Sequence, residues 1–294
     1  TLIVLSLMAI FSLCLQNNLV FAVEANSTEI SLINQPDMVV TGDNLTYKLN
    51  EDKCSYTVTG YSWFVDGNVI IPSTYNNLPV TKIGDFAFGN RGLSSIIINE
   101  GITEIGNQAF SYCENLRKVI LPNSLETIGD SAFFGCENLT SIEIPNNKIT
   151  ISGFAFRDCK NLSDIQISES VCSIGAGAFC NTAFYNDDTN WSGEVLYINN
   201  HLIQAKETLS GEYSVREGVK TIAGHAFKGC TNLTKINFSN SIIEIGYAAF
   251  EGCKKIEQIV LPEQCKTIEQ GAFDGCSSLE TITINKRLIV IEAN

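Results

Sequence analysis

Along most of the chain the apolar residues keep neither the 3.6-residue period of an amphipathic helix nor the strict alternation of a half-buried strand. In "IGDSAFFGCENLTSIEIP", Ile128 to Pro145, they follow a fixed irregular order, and the same order stands at Ile105 to Pro122 and at Ile222 to Ser239. Aligned on their Ala-Phe pair, the repeated positions are Phe88, Phe110, Phe133, Phe156, Phe179, Phe227, Phe250 and Phe273. Neighbouring phenylalanines are 22 or 23 residues apart, except for 48 between Phe179 and Phe227. A period of this size predicts a solenoid, in which each repeat is one coil.

One full coil is Cys113 to Gly135. Its recurrent small or apolar positions, Cys113, Leu116, Val119, Leu121, Leu125, Ile128, Ala132 and Phe133, are expected to point inward. Leu116 to Leu121 alternates and ends on Pro122, which cannot extend a ladder, so a short strand is predicted there and successive coils build a parallel sheet. Ile128 to Gly135 returns along the other face as an irregular or single-turn helical arc. A lone coil buries too little apolar surface to offset the entropy of ordering its backbone, so each unit depends on its neighbours. The glycines at 84, 106, 129, 175 and 246 give way to Ser152, Ala223 and Glu269 at the same place, so that turn does not require a positive φ.

The recurring Ile-Gly-x-x-Ala-Phe-x-x-Cys-x-x-Leu pattern resembles the BspA-like leucine-rich repeat family, the fifth leucine-rich repeat class, over Tyr56 to Asn294. That resemblance implies a leucine-rich repeat solenoid of about 23 residues per coil, with a parallel β-sheet on one face and irregular or short helical arcs on the other. It also implies a secreted or surface protein, since several members are adhesins that bind host extracellular-matrix proteins or other cells.

The flanking segments divide the chain. Residues 1–25 hold the uncharged apolar run Leu2 to Leu15 followed by small residues before Ala22 or Ala25. They read as a signal peptide, too short for a membrane span and, lacking Met and a basic start, truncated at its beginning. Residues 26–80 form a leader and a hairpin cap, the hairpin placed at "SWFVDGNVII" with an Asp-Gly turn. Repeats then occupy 81–180 and 219–294, the last coil cut before its Ala-Phe pair. Between them, 181–218 is an irregular insert whose "VLYINNHLIQ" reads as a second hairpin with an Asn-Asn turn.

Composition narrows the chemistry. The formal net charge of -13 over 294 residues, without a Lys/Arg cluster, excludes nucleic-acid binding. Of the 11 cysteines, Cys113, Cys136, Cys159, Cys230, Cys253 and Cys276 each stand three residues after a repeat Phe. They are expected to line the core as free thiols, because parallel side-chain vectors suit neither a disulfide dihedral nor a tetrahedral metal site. Cys180 is expected to be the exposed thiol. Neither His201 nor His225 lies in a catalytic or metal-binding motif, and no nucleophile has an activating neighbour, so the chain reads as non-enzymatic, without cofactor, metal or small-molecule substrate. "DTNWSGE" from Asp188 opens like a calcium loop, but Asn199 stands where the closing Glu belongs, leaving a polar turn. Asn-x-Ser/Thr occurs at Asn26, Asn44, Asn138, Asn161, Asn190, Asn232 and Asn237, three of these being the repeat's own Asn-Leu-Thr/Ser.

If each coil contributes one strand, two side chains per strand face outward. These are Lys118 and Ile120, Ser141 and Glu143, Asp164 and Gln166, Lys235 and Asn237, Gln258 and Val260, and Thr281 and Thr283. That row is the expected contact surface for a protein or cell-surface glycan. The alternatives are a repeat region that positions a catalytic domain of a larger surface enzyme, and a spacer that binds nothing.

Overall fold

The computed structural model describes residues 39–40, 44–61 and 67–291, all within one compact unit, Met38–Asn294. The expected signal peptide, the leader up to residue 38 and the Asp66 side of the Asp-Gly turn lie outside the described residues. No helix among the described residues is long and apolar enough to cross a membrane.

Each coil has three parts. A long strand such as Ser141–Ile144 alternates exposed and buried residues, and two chain corners later a two-residue strand such as Thr150–Ile151 starts the return. The corner strands stack in parallel and in register, Thr127 beside Glu104 and Thr150, Ile128 beside Ile105 and Ile151. The return arc is neither strand nor helix. Its N–H groups alternate between turns within the coil and bonds to the next coil. Ala132 N donates to Gly129 O at 3.2 Å and Phe134 N to Ser131 O at 3.0 Å. Between them, Ser131 N reaches Gly153 O at 2.9 Å and Phe133 N reaches Ala155 O at 2.8 Å. This satisfies the buried backbone without regular structure.

Such an arc needs left-handed residues. Two residues before the repeat Phe, φ is positive in all eight coils: Phe86, Gln108, Ser131, Phe154, Gly177, His225, Ala248 and Gly271. Two residues after it the same holds for Asn90, Tyr112, Gly135, Asp158, Asn181, Gly229, Gly252 and Gly275. The glycine of the Ile-Gly corner is not among these residues. Its use is close approach: a Cβ on Gly129 would lie 2.7 Å from the carbonyl carbon of Gly106.

The expected core residues Cys113, Leu116, Leu125, Ile128, Ala132 and Phe133 are fully buried, while Val119 and Leu121 are half-buried and pack against that core. The repeat phenylalanines stack with nearly parallel rings. Phe110, Phe133 and Phe156 follow one another at centroid distances of 5.1 and 5.2 Å, and Phe227 and Phe250 at 4.8 Å. The cysteines lie beside them, each thiol donating to a carbonyl of the preceding coil: Cys136 Sγ to Phe110 O at 3.2 Å, Cys159 Sγ to Phe133 O at 3.1 Å, Cys253 Sγ to Phe227 O at 3.2 Å. The described cysteines are free, with Cys54 and Cys172 exposed and Cys180 only half-buried, so the exposed thiols are not the one expected. Cys180 sits in the arc beside Tyr185, whereas Cys172 falls on the outer side of a corner.

The coils form two blocks, and each opens the same way. Leu45–Leu49 pairs antiparallel with Tyr56–Tyr61, which then pairs parallel with Leu78–Ile83 and so begins the first corner ladder. Val195–Ile198 pairs antiparallel with His201–Ala205 across Asn199-Asn200, and His201–Ala205 pairs parallel with Thr221–Ile222 to begin the second. The hairpin expected at 62–71 has its first half outside the described residues; the second half, Gly67–Ile71, is a long strand, parallel to Leu93–Ile98. Ser210–Ser214 is its counterpart in the second block, parallel to Asn232–Asn237. The first block ends where Thr182 takes the place of the ladder cysteine: its hydroxyl accepts from Tyr185 N at 3.1 Å and caps the one-turn helix Ala183–Asn186, which turns the chain out of the coil.

Candidate interaction surface

The long strands carry the expected outward row. Ser141, Glu143, Asp164, Gln166, Gln258 and Val260 are exposed, with Ile142, Ile144, Ile165, Ile167 and Ile259 buried between them. Lys118, Ile120, Lys235 and Asn237 are only half-buried, the last two with neighbouring side chains against them. Lys235 Nζ lies 3.3 Å from Glu212 Oε2, and Asn237 Nδ2 donates to Ser214 Oγ at 3.1 Å. Register places Ser141 beside Asp164, Glu143 beside Gln166, Gln258 beside Thr281, Val260 beside Thr283, and Lys118 beside Ser95.

The row is not one sheet. Strand pairing joins Lys118–Ile120 to Leu93–Ile98, Ser141–Ile144 to Asp164–Ile167, Asn232–Asn237 to Ser210–Ser214 and Gln258–Val260 to Thr281–Thr283, but does not bridge these sets. At the gap between Asn232–Asn237 and Gln258–Val260 lies an open depression of about 340 Å³, lined by Lys235, Asn237, Phe238, Gln258, Val260 and Glu263 among others. Phe238 stands where other coils place Leu121 or Ile144, and its ring packs edge-on against Phe250 at 5.9 Å. Val260 is 58 % exposed on the opposite wall. The aromatic substitution at 238 was the available sequence signal, hidden because Phe reads as core wherever Leu does.

The insert is less open to a partner. Trp191 Nε1 donates to Tyr185 O at 2.8 Å, and Lys206 Nζ sits 5.0 Å from its ring centroid while pairing with Asp188 at 3.1 Å. Its polar edge and its ring face are therefore both engaged. His201 and Thr221 are hydrogen-bonded at 2.8 Å but wholly enclosed, so no substrate reaches them. His225 faces Glu251 at 3.5 Å and Tyr247. Among the described residues no group of acidic, histidine or cysteine side chains could hold a metal ion.

No curated protein matches the chain. Among solved structures it is similar to a leucine-rich cell surface protein of Faecalibacterium prausnitzii A2-165, 22% identical over 85% of this chain and 95% of that one, with a TM-score of 0.40. The pneumococcal vaccine antigen PcpA is 21% identical over 85% of this chain and 76% of its own, with a TM-score of 0.42. A leucine-rich repeat protein of T. pallidum is 20% identical over 84% and 82%, with a TM-score of 0.37. The family model of the BspA-type leucine-rich repeat region matches in six copies over residues 81–210 and 209–294. With its corner ladders, stacked phenylalanines and thiol row recurring over that same span, the chain belongs to the BspA-type leucine-rich repeat family.

Proposed function

We propose that this is a secreted or cell-surface interaction protein whose long-strand face binds another protein, extracellular-matrix proteins being the first class to test. The observation that carries the proposal is the depression on that face, where an exposed Val260 and an aromatic floor are ringed by Lys235, Asn237, Gln258 and Glu263. An apolar floor with a polar rim is the common anatomy of a protein contact. The outward row lacks Trp, Tyr and Arg, the residues that dominate hot spots, so a single site binds weakly and gains strength from many copies on one surface.

The test immobilises several matrix proteins and compares the wild-type chain with two variants of unchanged circular dichroism. One carries Lys118→Glu, Glu143→Lys, Asp164→Lys and Lys235→Glu; the other carries Val260→Asp alone. Loss of binding in both is expected. Unchanged binding moves the contact off this face, and no binding by the wild type to any protein tested leaves the spacer.

A further inference from the structure

The two blocks share one hydrophobic core through the buried hairpin strand Val195–Ile198, and on one side of that hairpin a narrow polar seam also joins them. Asn199 Nδ2 donates to Ile167 O at 2.6 Å, Gly224 N to Ile174 O at 2.8 Å, and Ser173 Oγ to Glu269 Oε1 at 3.0 Å. At its centre His201 is fully buried, with Nε2 3.2 Å from Ser168 O of the first block and Nδ1 2.8 Å from Thr221 Oγ1 of the second. A carbonyl can only accept, so the proton of the neutral ring belongs on Nε2, and Nδ1 accepts from the Thr221 hydroxyl. The charged groups facing the ring are Lys220, ahead of the corner strand Thr221–Ile222, and Glu169, in the turn after Asp164–Ile167; they pair across the seam at 3.3 Å.

We propose that this seam is an acid-operated joint: protonation of His201 loosens the second block against the first along the seam while each block keeps its own coils. A second proton must go on Nδ1. It turns the Thr221 hydroxyl from donor to acceptor in a site where Thr221 is 2 % exposed and has the buried Glu244 as its ladder neighbour, and it places a cation in an enclosed pocket beside the Lys220–Glu169 pair. Burial holds the imidazole below its ordinary range, with Lys220 adding to the effect and Ser168 O and Glu169 opposing it. The second block can loosen without unravelling, because Val195–Ile198 and His201–Ala205 give it the antiparallel opening that Leu45–Leu49 and Tyr56–Tyr61 give the first. Its phenylalanine stack is its own: Phe227 meets Tyr213 on the near side, at 6.1 Å, as Phe88 meets Tyr61.

Hydrogen exchange of the whole chain at about pH 7.5 and about pH 5, corrected for intrinsic rates, tests this. Protection at Gly224 and along the hairpin should fall severalfold at the lower pH, with Ile128 to Phe156 unchanged, and His201→Gln, whose amide can still donate to Ser168 O, should abolish the difference. A uniform change over both blocks, no change, or an unaltered response in His201→Gln overturns the proposal. Should that variant not fold, imidazole titration by NMR in the wild type decides, since the chain has only two histidines. A His201 that titrates at or above the ordinary 6.5 overturns it as well.

Discussion

Sixteen positions at positive φ, two flanking the Phe in each of eight coils, show what single residues are asked to do. Gly252 has φ 74°, and a Cβ added there would have Gly229 N at 4.0 Å as its nearest atom, so Gly252→Ala meets no clash and only backbone strain. It should cost about 1–2 kcal/mol in urea unfolding, and Gly252→Asn about half of that. A neutral Gly252→Ala would mean that the coil supplies the left-handed turn without strain. At Gly135 the same Cβ would also meet the Tyr112 ring at 2.9 Å, so Gly135→Ala should cost more. Phe133 is fully buried between two parallel rings, and Phe133→Ala should cost about 3–5 kcal/mol, read from the same denaturation curves.

At the scale of one coil, the cysteine row is explained by its bonds. A thiol is small enough for the narrow space beside the phenylalanine stack and can still donate to a Phe carbonyl whose second lone pair is otherwise unused, as for Cys159 on Phe133. Burial pushes the Cys113 and Cys276 thiols up to about 11 and Cys230 up to about 12, so little thiolate exists at neutral pH. A maleimide should therefore label Cys54 and Cys172 in the folded protein, and the buried ladder thiols Cys113, Cys136, Cys159, Cys230 and Cys253 only in denaturant, as counted by intact mass. Ladder labelling at the native rate would contradict the packing. The arc and the strands divide the labour: within each block the arc bonds each coil to the next, while the long strands pair in sets and leave gaps.

For the whole molecule, these groups bracket stability in pH. His201 is held below its unfolded value of 6.5, so the unfolded chain binds more protons as pH falls below that value, and stability present above it is lost on acidification. The ladder thiols are raised above 9.0, so stability present below that value is lost as pH rises towards about 11. Urea midpoints should form a plateau between these limits. His201→Gln should lessen the fall on the acid side without removing it, since His225 is also held low, and leave the alkaline side as it was. The same scale governs binding: the outward row is interrupted, so a partner reads local sites such as the depression at Val260 instead of one continuous sheet.

The repeat phenylalanines, the inward Ile and Leu, the thiol row and the alternation in and out at Ser141 to Ile144 were all legible in the sequence, because stacking identical coils forces the same side chain into the same environment every 23 residues or so. At the residue after next from the Phe, the run of Asn90, Asp158, Asn181 and four glycines also spelled out a left-handed turn. Two residues before the Phe it could not be read, since Phe86, Gln108 and Phe154 have no preference for positive φ and are held there by bonds to the next coil. Likewise the pairing of Gly67–Ile71 with Leu93–Ile98 could not be read from the Asp-Gly pair, since a strand's partner depends on which edge the stack offers it. The breaks in the long-strand ladder, the depression beside Phe238 and the seam at His201 belong to the tertiary structure alone. They arise where successive coils do not superpose, and a repeating pattern describes only what the coils have in common.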